Sequence, residues 1–288
     1  MAINKKKIHE ELVSLSSLHD LVQTYQEIAA TRMRKVKSNV LKNREFLSEL
    51  NMIFQEVKIA YQNKNNLLKL KKRKYKPVIQ KNGKSVSVLL SSNTMLYGDI
   101  IRKVANKFIE SALATDADLV VIGKVGLRFY KDSGVSKPHK YFELSDTGID
   151  QENLKRVVDY VIEYENINVF HARFEDILIQ SAQKTLISED LIQDPEYSVE
   201  INKYIFEPSI EKILSFFEAE ILASIFEQSV NESNLSKFAS RMVTLDYALE
   251  NIDSRISRTN FEKIRLKHRL HNIKQQDVLS GMQLWRIN

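Results

Sequence analysis

Leu235-Ser236-Lys237-Phe238-Ala239-Ser240-Arg241-Met242-Val243-Thr244-Leu245-Asp246-Tyr247-Ala248-Leu249-Glu250-Asn251-Ile252-Asp253-Ser254-Arg255-Ile256 carries apolar side chains at 235, 238, 242, 245, 249, 252 and 256. The steps alternate three and four, which puts them all on one helix face in coiled-coil register. This seam lies in a longer tract free of chain-breakers. Residues 209–280 hold neither Gly nor Pro, and neither do residues 1–76. The chain of 288 residues has 7 Gly and 4 Pro, where average usage would give roughly 20 and about 14. Gly loosens the backbone and Pro removes an N–H, so their absence permits long unbroken helices. An all-β sandwich or barrel, which needs a turn every ~8–12 residues, is excluded.

In the N-terminal tract Leu12, Leu15, Leu18, Val22, Tyr25, Ala29, Met33, Val36 and Val40 recur at threes and fours, followed by Leu47, Leu50, Phe54, Val57 and Tyr61. Some 60 residues of helix make a rod of roughly 90 Å. In the C-terminal tract Pro208-Ser209 suits a helix start, and Ile213, Phe216, Phe217, Ile221 and Ile225 lead into the seam. Beyond Ile256 the pattern weakens. Thr259 stands where an apolar residue is due, and Leu266, Leu270 and Ile273 resume the stripe, so a stutter in heptad phase is expected. Gly281 falls where the helix should end. A helix this long is unstable unless its stripe is packed. The economical arrangement pairs the two tracts, antiparallel because the middle of the chain joins them.

That middle is punctuated. Residues 67–84 form a basic connector, Leu70-Lys71-Lys72-Arg73-Lys74-Tyr75-Lys76-Pro77, closing at Asn82-Gly83. Residues 85–90 and 118–123 read as buried strands, and 168–173 as a third. Residues 177–187 read as a fourth, with Ile177-Leu178-Ile179 and Thr185-Leu186-Ile187. Helices are expected over 98–114, 125–130 and 151–164. Alternating strands and helices imply a small α/β layer with parallel pairing, followed by an acidic loop over 188–207. The expected organisation is therefore a helix over 1–66, the connector 67–84, an α/β domain over 85–207 and a second long helix over 208–288.

Composition narrows the chemistry. Hydrophobic residues make up 43% and charged residues 28%, which is globular or helical and not disordered. With no cysteine, disulfides, thiolate metal sites and Cys nucleophiles are excluded. The basic start has no apolar h-region, so no signal peptide is read there, and no apolar run is long enough to span a bilayer. The glycine-bearing turns 91–98 and 123–126 match neither G-x-G-x-x-G nor a Walker loop. His268 and His271 share a helix face but have no carboxylate at a third-ligand offset. No nucleophile–base–orienter set is legible, and no catalytic, cofactor or metal residues are expected in this chain. The net charge of +6 invites an acidic partner. It concentrates in Arg255, Arg258, Lys263, Arg265, Lys267, Arg269 and Lys274. These charges suit a solvated face, a nucleic-acid groove or an acidic protein surface.

Four segments, in order, resemble the γ subunit of F-type ATP synthases. Glu27-Ile28-Ala29-Ala30-Thr31-Arg32-Met33-Arg34-Lys35 is similar to the family's Met-Val-Ala-Ala-Ser-Lys-Met-Arg-Lys. Ala117 to Gly126 is similar to its Rossmann-like strand ending in Ile-Gly-x-x-Gly. Tyr204-Ile205-Phe206-Glu207-Pro208 looks like Tyr-x-Tyr-Glu-Pro, and Ser236 to Val243 looks like Ser-Glu-x-x-Ala-Arg-Met-Val. The chain departs from the family at its first loop. There Ser-x-Asp-Arg-Gly-Leu-Cys-Gly becomes Ser91-Ser92-Asn93-Thr94-Met95-Leu96-Tyr97-Gly98. It departs again at Lys267 to Gln276, where Lys267, Arg269, Ile273 and Gln275 alone agree with Lys-Ala-Arg-Gln-Ala-x-Ile-Thr-Gln-Glu, and in the tail Leu284 to Asn288.

The resemblance implies an antiparallel coiled coil plus a small Rossmann-like α/β domain, acting as the central rotor shaft of an F-type or F-type-like ATPase. The shaft would couple ATP hydrolysis or synthesis in an α3β3 ring to rotation, and the departures leave room for a dedicated ATP-driven motor. ATP and Mg would be bound by the partner subunits. The implied partners are the α and β subunits, with an ε-like stalk subunit and a membrane ring as further candidates. The implied placement is cytoplasmic and peripheral to the membrane. The implied contact residues are Tyr25, Arg32, Met33, Arg34, Lys35, Arg241, Met242, Lys267, Arg269, Ile273 and Gln275. Two other classes remain open: a basic coiled-coil nucleic-acid-binding protein, and a small α/β enzyme with a ligand in the 91–98 loop.

Overall fold

A computed structural model describes residues 2–67, 81–146, 148, 150–187, 207 and 209–285. Most of the connector, nearly all of the acidic loop and residues 204–206 and 208 lie outside them. The described elements are α1 (Ala2–Leu67), β1 (Ser85–Leu90), α2 (Ile100–Ala114), β2 (Asp118–Ile122), α3 (Lys124–Asp132), β3 (His139–Phe142), α4 (Gln151–Val161), β4 (Asn166–Phe174), β5 (Gln180–Leu186) and α5 (Ile210–Trp285). Two very long helices thus bracket an α/β sheet. Ser209 opens α5 by accepting a hydrogen bond from the Lys212 amide at 3.3 Å, an N-cap. Gly281 does not end α5, which runs through it to Trp285, because one helical Gly destabilises by only about 1 kcal/mol.

The chain forms two compact units, 1–28 with 242–288 and 29–241. In the first, the ends of α1 and α5 pair antiparallel. Gln26 bonds Asp246 at 3.0 Å, and one heptad on, His19 meets Asp253 at 3.6 Å. Arg255 reaches Glu11 at 3.0 Å. Val22, Leu245 and Ile252 form the small core, with Ala248, Leu249 and Ile256 against it. The expected stutter is absent. Thr259 is buried and Leu266, Leu270 and Ile273 are half-buried, so the three–four alternation continues unshifted, with exposed Lys263 at the skipped position. Composition weakens here while phase does not.

The second unit holds a five-stranded sheet in the order β3-β2-β1-β4-β5. β1 pairs parallel with β2 and β4, and β2 with β3. β5 pairs antiparallel with β4, so the expected all-parallel layer is corrected at one edge. A short turn joins β4 to β5, and only antiparallel strands can be joined so briefly. Residues 177–179, expected in a strand, form that turn. β3 was not expected: it is a four-residue edge strand with two exposed positions, too short and polar to show a period.

Strand alternation divides the core. Val86, Val88, Leu90, Val120 and Ile122 pack with α4 and with Leu47, Phe54, Leu214, Ile221 and Phe226 of the long helices. Leu89, Leu119, Val121 and Phe170 pack with α2 and with Val125 and Tyr130 of α3. Strand order reverses direction after β3, so a crossover of constant hand must place α4 on the face opposite α2 and α3. No helix among the described residues is long and apolar enough to cross a membrane.

Candidate functional site

Two surfaces in the first unit carry part of the expected contact set. On α1 the seam does not use Leu18 and Tyr25, as the apolar spacing suggested. His19 and Gln26 take those positions, beside Asp253 and Asp246. Leu18 (46%), Leu21 (54%), Tyr25 (47%) and Ile28 (40%) are left exposed. Their spacing of 3, 4 and 3 residues makes a second apolar stripe along α1, outside the seam. Such a stripe is a candidate docking surface. The apolar spacing places Leu18 and Tyr25 alike in the seam, and of these four residues the resemblance implies only Tyr25 as a contact.

The other surface is basic and lies further along α5. Lys267, Arg269 and Gln275 are exposed and Ile273 is half-buried in the seam. Asp246 marks the level of Tyr25, and Lys267 lies about twenty residues beyond it, roughly 30 Å at the helical rise. The structure therefore does not gather Tyr25 and the Lys267–Gln275 group into one site. Met242 is half-buried at the start of this stretch.

In the second unit, Arg34 and Lys35 are exposed and Arg32 is half-buried. Met33 packs against the core cluster of Val36, Leu235 and Phe238. Arg241 is occupied internally. Its guanidinium donates to the carbonyls of Leu96 at 3.0 Å and Met95 at 2.9 Å and stacks 4.0 Å from the Tyr97 ring centre. A planar fork serves two acceptors and an aromatic face together. The loop it holds is strained, with Leu96 at φ +73°, a region non-glycine residues rarely visit.

Sequence reasoning missed the buried polar joint beside Arg241. Lys237, 4% exposed, donates to the Ser91 carbonyl at 3.1 Å and lies 3.8 Å from Asp146. Burial pulls its pKa from 10.5 to about 8, against the Asp146 carboxylate, which raises it. Asp146 accepts from the Asn93 and Thr94 amides, each at 2.9 Å, and from the Thr94 hydroxyl at 3.0 Å. Ser240 donates to the Tyr97 carbonyl at 2.9 Å, and Ser236 to the Arg173 carbonyl at 3.4 Å. Two departures from the family pattern meet here. Thr94 stands at the loop's Arg and Lys237 at the helix's Glu.

This joint bears on the enzyme reading. Open α/β sheets bind ligands at the carboxyl ends of the strands, where strand order reverses. Here that point lies between β1 and β4. Ser236 and Lys237 of α5 bond the carbonyls of Arg173, within β4, and Ser91, just past β1. The loop after β1 is tied to Asp146, Ser240 and Arg241. Gly123, at φ +95°, brings α3 against it so closely that a Cβ there would meet the Ser92 carbonyl oxygen at 2.7 Å. Helix α5 thus lies across the crevice between β1 and β4, while Asn93 and Thr94 of the loop line an open pocket with Glu143, Asp150 and Arg156.

Comparison with known proteins converges on one assembly. A family profile described as ATP synthase matches residues 4–276. The ATP synthase gamma chain of Cytophaga hutchinsonii is 24% identical, over 85% of this chain and 86% of its own length. That of Pelotomaculum thermopropionicum is 21% identical, over 96% and 97%. Among solved structures, a chain of the Euglena gracilis mitochondrial ATP synthase rotor shares the fold with a TM-score of 0.61 at 12% identity, covering 94% of this chain and 99% of that one. One from the Tetrahymena thermophila central stalk and c-ring does so at 0.57 and 17% identity, covering 79% and 99%.

Proposed function

Because the chain belongs to the ATP synthase family and its curated relatives are γ chains, we propose that it is the central stalk of a rotary ATPase, turning inside a ring of α and β subunits. The observation that carries this reading is the exposed Leu18-Leu21-Tyr25-Ile28 stripe on a helix whose seam is already filled. A free coiled coil in water has no use for a second apolar face. A shaft seated in an apolar sleeve does.

The chemistry belongs to nucleotide sites on the partner subunits. This chain supplies a stiff shaft whose two helices differ around its circumference, so each partner subunit meets a different surface at each angle. The basic stretch Arg255 to Lys274 then faces acidic lobes of those subunits, a contact that weakens with salt. Such a subunit is peripheral to the membrane and held there by its complex, with an ε-like stalk subunit and a membrane ring as further partners. The changed loop 91–98 and the replaced signature at 267–276 favour a divergent machine, including one that spends ATP to drive a load. The nucleic-acid reading gains no support from relatives that match along most of the chain.

The test is capture. Tagged chain isolated from its native cell should bring down two Walker-motif ATPase subunits in equal amounts. Recovery of the chain without them would overturn the reading.

A further inference from the structure

Between the carboxyl end of β1 and α5 lies a cavity of about 20 Å³. Its polar lining comes from Ser91, Ser145, Asp146, Ser233, Asn234 and Lys237, and Ile122 and Val230 contribute apolar wall. The Ser91 and Ser233 hydroxyls are sealed from solvent and have no hydrogen-bond partner in the protein. Native proteins almost never leave buried hydroxyls so. The Lys237 ammonium has three donors. One reaches the Ser91 carbonyl at 3.1 Å, and the Asp146 oxygen at 3.8 Å is beyond direct hydrogen-bonding distance. A polar separation of that length is characteristic of a bridging molecule.

We propose that this cavity is a built hydration site that holds one ordered water, which accepts from the Lys237 ammonium and closes hydrogen bonds with the Ser91 and Ser233 hydroxyls. The size admits one water and nothing larger, since a single water needs about 10–15 Å³ of such space. The lysine and the neighbouring carboxylate offset each other in charge, so the site favours neither a cation nor an anion and the occupant is neutral. The water's partners come from both sides of the joint, Ser91 from the end of β1 and Ser233 and Lys237 from α5. The helix is therefore seated on the sheet through a wet polar contact, which fixes its rotation more tightly than an apolar contact would.

A structure of the assembled protein at about 2 Å should show a spherical peak within hydrogen-bonding distance of both serine hydroxyls and the lysine. Density showing those hydroxyls turned onto protein carbonyls around an empty space would overturn the proposal. Substitution gives a second reading whose sign separates the cases. In a wet site, Ser233→Val expels the water and strands Lys237 and Ser91, so it lowers the melting temperature further than Ser233→Ala. In a dry void the added methyls fill space, and Ser233→Val melts above Ser233→Ala. The same pair of changes at exposed Ser254 corrects for the helix preference of valine.

Discussion

Lys237 should make the protein more stable as the pH rises, against the usual alkaline trend. Below pH 8 the lysine is protonated in both folded and unfolded chains, and the fold carries the whole penalty of a buried charge. Between about 8 and 10.5 the folded chain has released a proton that the unfolded chain still holds, and stability rises with pH wherever the unfolded state binds more protons. The gap from 10.5 to about 8 amounts to about 3 kcal/mol, taking about 1.4 kcal/mol per pH unit, with most of the gain reached by pH 10. The perturbation is Lys237→Met, which keeps the apolar stem and removes the charge. Urea unfolding followed by circular dichroism, from pH 7 to 10, gives the stability of each protein. The wild type minus variant difference cancels groups shared by both, including Tyr97, whose own pKa burial raises. That difference should climb by about 2–3 kcal/mol. A flat or falling difference would show that the lysine is not held down by burial and would refute the reasoning. Asp146→Asn removes the carboxylate that raises the lysine, so the climb should begin below pH 8.

The remaining predictions concern the joint and the first unit. Gly123→Ala should destabilise by about 3 kcal/mol or more in thermal melts, because it adds a Cβ against the Ser92 backbone at a positive φ. Arg241→Lys should lose about 1–2 kcal/mol, since a point charge cannot serve both carbonyls and the Tyr97 face together; a loss below the error of the unfolding curves would show the fork to be idle. Arg255→Ala breaks an exposed pair with Glu11 and should change stability by less than about 1 kcal/mol, with the difference gone in 1 M salt. Leu21→Ser with Tyr25→Ser should leave the melting temperature of the isolated chain almost unchanged while reducing capture of the ATPase subunits; equal capture would show the stripe to be unused.

The two long helices were legible because period and the absence of Gly and Pro are local properties, repeated over some seventy residues at each end. The buried strands β1, β2 and β4 were legible for a related reason: parallel strands covered on both faces read as short apolar runs. Edge strand β3 escaped, since a half-exposed strand of four residues has no such run. The site was legible only in part. Tyr25 could be singled out, but spacing cannot choose between two stripes one residue apart, Leu18 and Tyr25 or His19 and Gln26. Packing across to a helix more than two hundred residues away in sequence decided it: Val22 meets Leu245 and Ile252, which sets His19 and Gln26 beside Asp253 and Asp246.

Arg241 shows the same limit. Its motif suggested a partner contact, and the fold spends it on the carbonyls of a strained loop. Lys237 and Asp146 lie ninety-one positions apart, and nothing near either announces the other. Sequence by itself determined the two long helices, the α/β class of the middle and the family resemblance. Only tertiary structure decided which face of α1 is free, where α5 is seated and which charges are buried, because those depend on what each side chain meets across the fold and not on its neighbours along the chain.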